Sequence, residues 1–117
     1  MKALKNRNLE VQGYKVGPDY IDPAFHKEVT KKASRNLDTF LMGEEGIIKS
    51  YLKGNGDVGI IEGVMGLYDG LGHSKENFST AHVSKMLNVP VILVVNAKGI
   101  STSIAAEVLG FKLFDEE

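Results

Sequence analysis

Three short apolar runs, each of strand length, constrain the fold of this chain more than any other feature. They span residues 11–16, 58–64 and 89–95. The last two are rich in Val and Ile and almost uninterrupted by polar residues, which is typical of parallel strands that are covered on both faces. Runs of this kind predict an α/β fold built on a parallel sheet.

Helical patterns separate the runs and follow the last one, beginning near Asp22, Glu44, Ser79 and Ser101. We expect Asp22 to cap the first helix, with Pro23 at its first helical position. Gly54 is expected to stop the second helix, and the third ends before Pro90. The alternation of strands and helices predicts right-handed crossovers and helices on both faces of an open sheet.

Composition limits the classes of function. Fourteen Lys and Arg residues against fifteen Asp and Glu residues leave a net charge of -1, which disfavours binding to nucleic acid. There is no Cys, so the chain carries no disulfide, no thiolate metal site and no cysteine nucleophile. Residues 1–7 lack the apolar stretch of a signal peptide, and the run at 89–95 is far shorter than the roughly 20 residues that cross a bilayer. We therefore expect no membrane span and a cytoplasmic location.

Candidate functional residues follow the first two runs, because ligands of open parallel sheets bind beyond the carboxyl ends of the strands. Lys15, Asp19 and Asp22 lie at the end of the first run and in the turn after it. Glu62 ends the second run, and Asp69 lies in the glycine-rich loop that follows. A carboxylate at such a strand end is where nucleotide-binding sheets hold Mg²⁺. Spacing alone leaves alternatives open: the aspartates can be turn residues that bond to local backbone, and Lys15 can be a solvated strand end.

The histidines do not add to this candidate site. His26, His73 and His82 are scattered without the spacing of metal ligands, so a histidine metal cluster is not expected. His82 falls on a predicted helix and is expected at the surface or in packing.

Five strings along the chain carry a resemblance that covers almost its whole length. In order they are KVGPDYIDPAFH, SRNLDTFLMGEEG, IEGVMGLYDG, STAH and VPVILVVNAKG. Strings of this order and spacing resemble the cobyrinic acid a,c-diamide synthase family, the amidotransferases of corrin-ring biosynthesis. KVGPDYIDP and EGVMGLYDG are far more specific than a glycine motif.

The resemblance implies the N-terminal, ATP-binding domain of such an enzyme, related to dethiobiotin synthetase and the MinD-like P-loop proteins. Its fold would be the three-layer parallel sheet of P-loop NTPases. The resemblance also implies that ATP, with Mg²⁺, phosphorylates acetate groups of a corrinoid or related tetrapyrrole polycarboxylate. Ammonia released from glutamine by a glutaminase domain would then displace the phosphate. Cobyrinic acid, hydrogenobyrinic acid and nickel sirohydrochlorin stay open as the macrocycle.

The same resemblance implies roles for individual residues. The residues implied to be catalytic are Lys15, Asp19, Asp22 and Glu62. Those among them implied to hold Mg²⁺ are Asp19, Asp22 and Glu62. The residues implied to face the substrate are Tyr20, Ile21 and Asp69. Weaker candidates for carboxylate contacts are Arg35 and Asn36.

The chain also departs from the family's pattern. It holds no G-x-x-x-x-G-K-S/T motif, and without Cys it holds no glutaminase nucleophile. We therefore expect residues 1–117 to be a partial ATP-binding domain that lacks the P-loop strand, the P-loop and the glutaminase domain, with residues 1–7 as the last turns of a helix. The strand at 58–64 would then have an open hydrophobic edge, which predicts self-association. A non-catalytic nucleotide-fold binding or scaffold protein stays open as the alternative.

Overall fold

Three parallel strands form the sheet, and the candidate functional residues lie at or after the carboxyl ends of these strands. The computed structural model describes residues 1–72 and 78–115. Its strands, arranged in the order β2-β1-β3, are β1 (Val11–Val16), β2 (Arg35–Leu37) and β3 (Val58–Glu62). Its helices are α1 (Lys2–Lys5), α2 (Ile21–Thr30), α3 (Thr39–Leu52), α4 (Thr80–Leu87) and α5 (Ile104–Phe114). The predicted α/β class and parallel sheet are confirmed.

β1 is the centre of the sheet, and all six of its residues are buried. Successive side chains of a strand point to opposite faces. On one face, α2 lies so close to Gly13 that a Cβ there would stand 3.0 Å from the Cβ of His26. On the other face, the ring of Tyr14 contacts the ring of Tyr51 on α3, with centroids 5.1 Å apart. Helices therefore cover both faces of β1.

The apolar core lies on the α3 face of the sheet. Its buried members are Tyr14, Val16, Leu37, Ile47 and Val83. Ile47 comes from α3 and Val83 from α4, so two helices close this face over the strands.

We expect Leu37→Ala to lower the free energy of unfolding by about 2–5 kcal/mol, because Leu37 is fully buried and its truncation leaves a cavity. Urea unfolding at a fixed protein concentration measures the change. Leu52→Ala is the matched control: Leu52 is exposed on α3, and its truncation should change the free energy by no more than about 0.5 kcal/mol. Equal effects of the two substitutions would contradict this placement of the core.

The predicted cap of α2 is wrong. Asp22 lies inside the helix, and Tyr20, which directly precedes the helix, makes no capping hydrogen bond with its side chain. The carboxylate that accepts the first backbone N–H groups belongs to Asp19, whose Oδ1 lies 2.7 Å from the Ile21 nitrogen and 3.3 Å from the Asp22 nitrogen. Because Asp19 does the capping, the Asp22 side chain is available for a contact with the sheet.

The other helices follow their sequence signals more closely. Asp38 caps α3, and Gly43, with a φ of 63°, interrupts this helix just before the predicted start at Glu44. Ser79 caps α4 by accepting a hydrogen bond from the His82 nitrogen, so the predicted start of that helix is confirmed. Among the described residues, no helix is long and apolar enough to cross a membrane.

The third apolar run is not a strand. Residues 89–97 have no regular secondary structure, and the side chains of Ile92 and Val94 are 87% and 88% exposed. A strand is stabilised only where a neighbouring strand pairs with its backbone N–H and C=O groups. Within the part of the chain that the structure describes, no strand pairs with this run. Its apolar composition was therefore insufficient to define a strand.

The sheet differs from the prediction at two further strands. β2 was not predicted because it has only three residues and no apolar run; its parallel pairing with β1, from Tyr14 with Arg35 to Val16 with Leu37, defines it. β3 ends at Glu62 rather than at residue 64, and its residues are half-buried or exposed. The expectation that β3 is covered on both faces is wrong, because none of its residues is fully buried. β3 also lies at the edge of the described sheet.

Candidate active site

The register of the sheet brings three polar residues into one row at the carboxyl ends of the strands. Lys15 of β1 pairs with Asn36 of β2 on one side and with Glu62 of β3 on the other. Lys15 is only 5% exposed, and a lysine is rarely so buried unless its charge is paired. The buried ammonium group of Lys15 therefore requires hydrogen-bond acceptors nearby.

Three acceptors meet this ammonium group, which has three hydrogens to donate. Nζ lies 2.6 Å from Oδ2 of Asp22, 3.0 Å from the carbonyl oxygen of Gly63 and 3.4 Å from Oε1 of Glu62. Asp22 comes from α2 and Glu62 from β3, so one helix and two strands meet here. Lys15 and Asp22 form an ion pair. Lys15 is therefore not a solvated strand end, and Asp22 is not a turn residue that bonds to local backbone.

Opposite charges determine the ionisation of this pair. Burial works to lower the pKa of Lys15, but the hydrogen bond that Lys15 donates to Asp22 and the charges of Glu62 and Asp22 outweigh burial and raise that pKa. The hydrogen bond that Asp22 accepts from Lys15 in turn holds the pKa of Asp22 below its usual range. Both groups are therefore ionised at neutral pH.

We expect Asp22→Asn to destabilise the chain at pH 7 but to lose this effect at about pH 2. Because the pKa of Asp22 is lowered in the folded chain, its ionised form contributes stability above about pH 4, and this contribution is lost as the pH falls through the folded-state pKa. Urea unfolding at the two pH values measures the difference. The pH dependence should disappear in a Lys15→Met background. An equal effect of Asp22→Asn at both pH values would exclude the ion pair as its source.

A second donor holds the other oxygen of Glu62. His26, which is buried on α2, places Nε2 2.5 Å from Oε2 of Glu62. The other ring nitrogen, Nδ1, lies 2.9 Å from Oγ of Ser34. Both carboxylate oxygens of Glu62 are thus bound by cationic or N–H donors from β1 and α2.

The start of α2 lies beside this cluster. Asp19 caps the helix with its side chain, and its main-chain oxygen accepts a hydrogen bond of 2.6 Å from Nδ2 of Asn36. The local-backbone role that spacing left open for Asp19 is therefore present. Tyr20 and Ile21 are 84% and 55% exposed, so two large side chains face solvent at this point.

Asp69 lies in the loop that follows β3. Its Oδ2 accepts a hydrogen bond of 2.9 Å from the Gly66 nitrogen, and a Cβ at Gly66 would stand only 2.6 Å from the same oxygen. This contact gives Asp69 the turn role that spacing had left open. Arg35 pairs with Tyr14 in the sheet register, so it belongs to the face opposite the row that contains Lys15.

Similar sequences occur within proteins of several bacteria. The chain is 61% identical over 117 residues to "Cobyrinate a,c-diamide synthase" of Clostridium acetobutylicum, and 56% identical over 116 residues to the protein of that name from Clostridium tetani. The Fusobacterium nucleatum protein of that name is 57% identical over 113 residues. These matches cover 100%, 99% and 97% of this chain. The resemblance to cobyrinate a,c-diamide synthases is confirmed.

The match has a defined extent. The chain spans 26% of the length of each of these synthases. No family model matches the chain, and no solved structure matches it. The P-loop type of fold therefore stays a prediction, beside the confirmed parallel α/β sheet.

Asp22 and Glu62 suit a magnesium ion that is shared with a phosphate group. Mg²⁺ is usually held by one or two carboxylates together with phosphate oxygens, rather than by a cage of protein ligands. Among residues 1–72 and 78–115, no group of three or more His, Cys, Asp or Glu side chains could hold a metal ion. The side chains of Asp22 and Glu62 are 34% and 48% exposed, so they are accessible from solvent. Two accessible carboxylates are the kind of protein ligands that such a shared ion requires.

Sequence analysis missed His26 and its partner Ser34. A usable signal was present in the string DPAFH: His26 follows Asp22 by four residues, which places both on one face of a helix. The spacing of the three histidines argues only against a metal cluster and carries no information on contacts with other residue types. Of the other two, His82 accepts a hydrogen bond from the Phe78 nitrogen, and His73 lies outside the described residues.

Proposed function

We propose that this chain forms part of the site at which a glutamine-dependent amidotransferase uses ATP to activate the a and c acetate groups of cobyrinic acid. The supporting observation is the cluster of Lys15, Asp22 and Glu62 at the carboxyl edge of the sheet. The cluster supports this particular function because it occurs in a chain that is 61% identical to a protein named cobyrinate a,c-diamide synthase. The proposal concerns the larger enzyme, since the chain spans 26% of that relative.

The reaction requires activation because a carboxylate is a poor acyl donor. An acetate oxygen attacks the γ-phosphorus of ATP, and ADP leaves as the acyl phosphate forms. Ammonia from glutamine then attacks the acyl carbon, phosphate leaves with the bonding electron pair, and loss of a proton gives the carboxamide. The phosphoryl transfer develops charge on phosphate oxygens that cations must neutralise. Mg²⁺ held by Asp22 and Glu62, with Asp19 as a further carboxylate nearby, would supply part of that positive charge.

Lys15 is the cation that this chain itself brings to the transferred phosphoryl group. Its contact with Glu62, at 3.4 Å, is the longest of its three and is the one that a phosphate oxygen replaces. The shorter contact with Asp22, at 2.6 Å, keeps the ammonium group in place during this exchange. Asp19 fixes Asp22 by capping the helix that carries it.

The exposed side chains near the cluster provide the substrate surface. Tyr20 and Ile21 present apolar area at the start of α2, where the macrocycle can pack. Asp69, in the loop after β3, would position the acetate group that is to be phosphorylated.

A segment-swap enzyme tests this function. In it, this chain replaces the matching segment of the Clostridium acetobutylicum synthase, which aligns with all 117 residues. The expected result is ATP- and glutamine-dependent conversion of cobyrinic acid to its a,c-diamide, measured by chromatography. The unaltered synthase is the control. A folded but inactive segment-swap enzyme would overturn the proposal and favour a non-catalytic binding or scaffold role.

The isolated chain should bind Mg-ATP weakly. It has no G-x-x-x-x-G-K-S/T motif, whose backbone N–H groups and lysine supply most phosphate contacts in P-loop proteins. Calorimetric titration measures the binding. A dissociation constant tighter than about 1 μM, which corresponds to about -8 kcal/mol, would contradict the expectation and require a second phosphate site.

We also propose that isolated copies of this chain associate with one another through the outer edge of β3. The support is that β3 ends the strand order β2-β1-β3, so in the described part of the chain its outer edge pairs with no strand. A second copy can pair with that edge through backbone hydrogen bonds.

A further inference from the structure

His26 is the one buried titratable side chain of the cluster to which the proposed reaction gives no task. It is 5% exposed and lies between Ser34 and Glu62, with Nδ1 2.9 Å from Oγ of Ser34 and Nε2 2.5 Å from Oε2 of Glu62. Gly13 of β1 makes room for it, because a Cβ at that position would stand 3.0 Å from the His26 Cβ. The imidazole is therefore packed against the backbone of the central strand.

The partners determine which ring nitrogen carries hydrogen. An ionised carboxylate can only accept, so Nε2 is the atom that donates to Glu62. In the neutral ring, Nδ1 then accepts from the Ser34 hydroxyl group, which can donate or accept. Ser34 thus holds the ring in the orientation, and the neutral ring in the tautomer, that points an N–H group at Glu62.

Glu62 needs such a partner because of where it lies. Its side chain is 48% exposed on an edge strand, a position from which a glutamate ordinarily samples several rotamers. Lys15 binds only one oxygen, Oε1, at 3.4 Å. The His26 contact with Oε2 adds a donor from α2 and leaves the carboxylate a single orientation.

We infer that His26 is a positioning residue: through Nε2 it orients the Glu62 carboxylate at the carboxyl edge of the sheet, with Ser34 fixing the imidazole. The inference rests on the proposed function, because Glu62 is the carboxylate assigned to Mg²⁺ and the phosphoryl group. His26 itself does not touch substrate, since both of its ring nitrogens are engaged by protein atoms. Its contribution is to keep Glu62 in place when a phosphate oxygen replaces the Glu62 contact with Lys15.

A pair of substitutions of similar size separates the hydrogen bond from packing. His26→Gln keeps an N–H donor that reaches towards Glu62, whereas His26→Met fills a similar volume without a donor. In the segment-swap enzyme, we expect His26→Met to lower kcat by about 10- to 100-fold, the usual cost of losing a group that orients a metal-binding side chain. His26→Gln should restore most of that loss, and the KM for cobyrinic acid should stay unchanged in both variants. His82→Met is the control: His82, on α4, accepts a hydrogen bond from the Phe78 nitrogen, and its substitution should leave kcat unchanged.

A measurement without Mg²⁺ or ATP tests the hydrogen bonds themselves. In the segment-swap enzyme with ¹⁵N-labelled histidine, the nitrogen shifts of His26 should show hydrogen on Nε2. Ser34→Ala should move these shifts towards a mixture of tautomers, and Glu62→Gln should move the Nε2 signal. Absence of these changes would overturn the assignment of the ring.

The outcomes distinguish the inference from the proposed function. An active segment-swap enzyme in which His26→Met and His26→Gln have equal kcat values would overturn the positioning role and leave the function standing. A lower kcat for His26→Met than for His26→Gln, with unchanged thermal unfolding in both variants, would support the positioning role. An inactive segment-swap enzyme would overturn the proposed function, and with it the catalytic purpose of His26, whatever its nitrogen shifts.

Discussion

Glu62→Gln is expected to lower the amidation rate of the segment-swap enzyme by about two orders of magnitude or more, the range found when a charged group that acts in the transition state is lost. Glutamine keeps the length of the side chain, but its one carbonyl oxygen can accept from only one of Lys15 and His26, which lie 3.4 and 2.5 Å from the two oxygens of Glu62. The substitution also removes the negative charge. Because the proposed function uses this charge to hold Mg²⁺ and to offset Lys15, the loss should appear in kcat rather than in folding. Steady-state amidation assays at saturating ATP measure it.

Three controls define this result. Glu45→Gln removes an exposed carboxylate that pairs with Lys49 on α3, and it should leave amidation unchanged. Glutamine hydrolysis by the Glu62→Gln enzyme should continue, because under the proposed function another domain performs it. Thermal unfolding should match that of the unsubstituted enzyme. Near-normal amidation by the Glu62→Gln enzyme would remove Glu62 from the mechanism.

The isolated chain is expected to form dimers or larger species through the outer edge of β3. The segment-swap enzyme should not associate through this edge at the same concentrations. The outer edge of β3 presents backbone N–H and C=O groups beside Ile60 and Ile61, which are half-buried apolar residues. Such an edge is a template for pairing with another chain. Light scattering across a dilution series measures the association, and hydrogen exchange locates it: protection of the β3 amides should rise with concentration.

Ile60→Lys tests the edge directly, since a lysine on an edge strand opposes pairing between copies. The variant should shift the isolated chain towards monomer. Ile48→Lys makes the same chemical change on α3, where Ile48 is 41% exposed, and should leave association unchanged. A wild-type chain that stays monomeric on concentration, with β3 amides already protected, would show that the edge is covered in another way.

Local signals in the sequence were enough for elements whose stability is local. Ser79 starts α4 because its hydroxyl accepts the His82 N–H within the same turn. Local signals failed for segments that become strands only if they pair with a neighbouring strand. Residues 89–95 have a more continuous apolar run than β1 but pair with no strand in the described residues, whereas the three residues of β2 pair with β1.

For the candidate site, the sequence determined the chemical groups and the tertiary structure decided their partners. Lys15, Asp22 and Glu62 could be named from strand ends and from a family resemblance, because the carboxyl edge of a parallel sheet is where such groups collect. That Asp22 pairs with Lys15 while Asp19 caps α2 depends on how α2 sits on β1. His26 reaches Glu62 across 36 residues of sequence, through space left by the missing side chain of Gly13. Contacts of this kind join separate elements, so only the packed structure decides them.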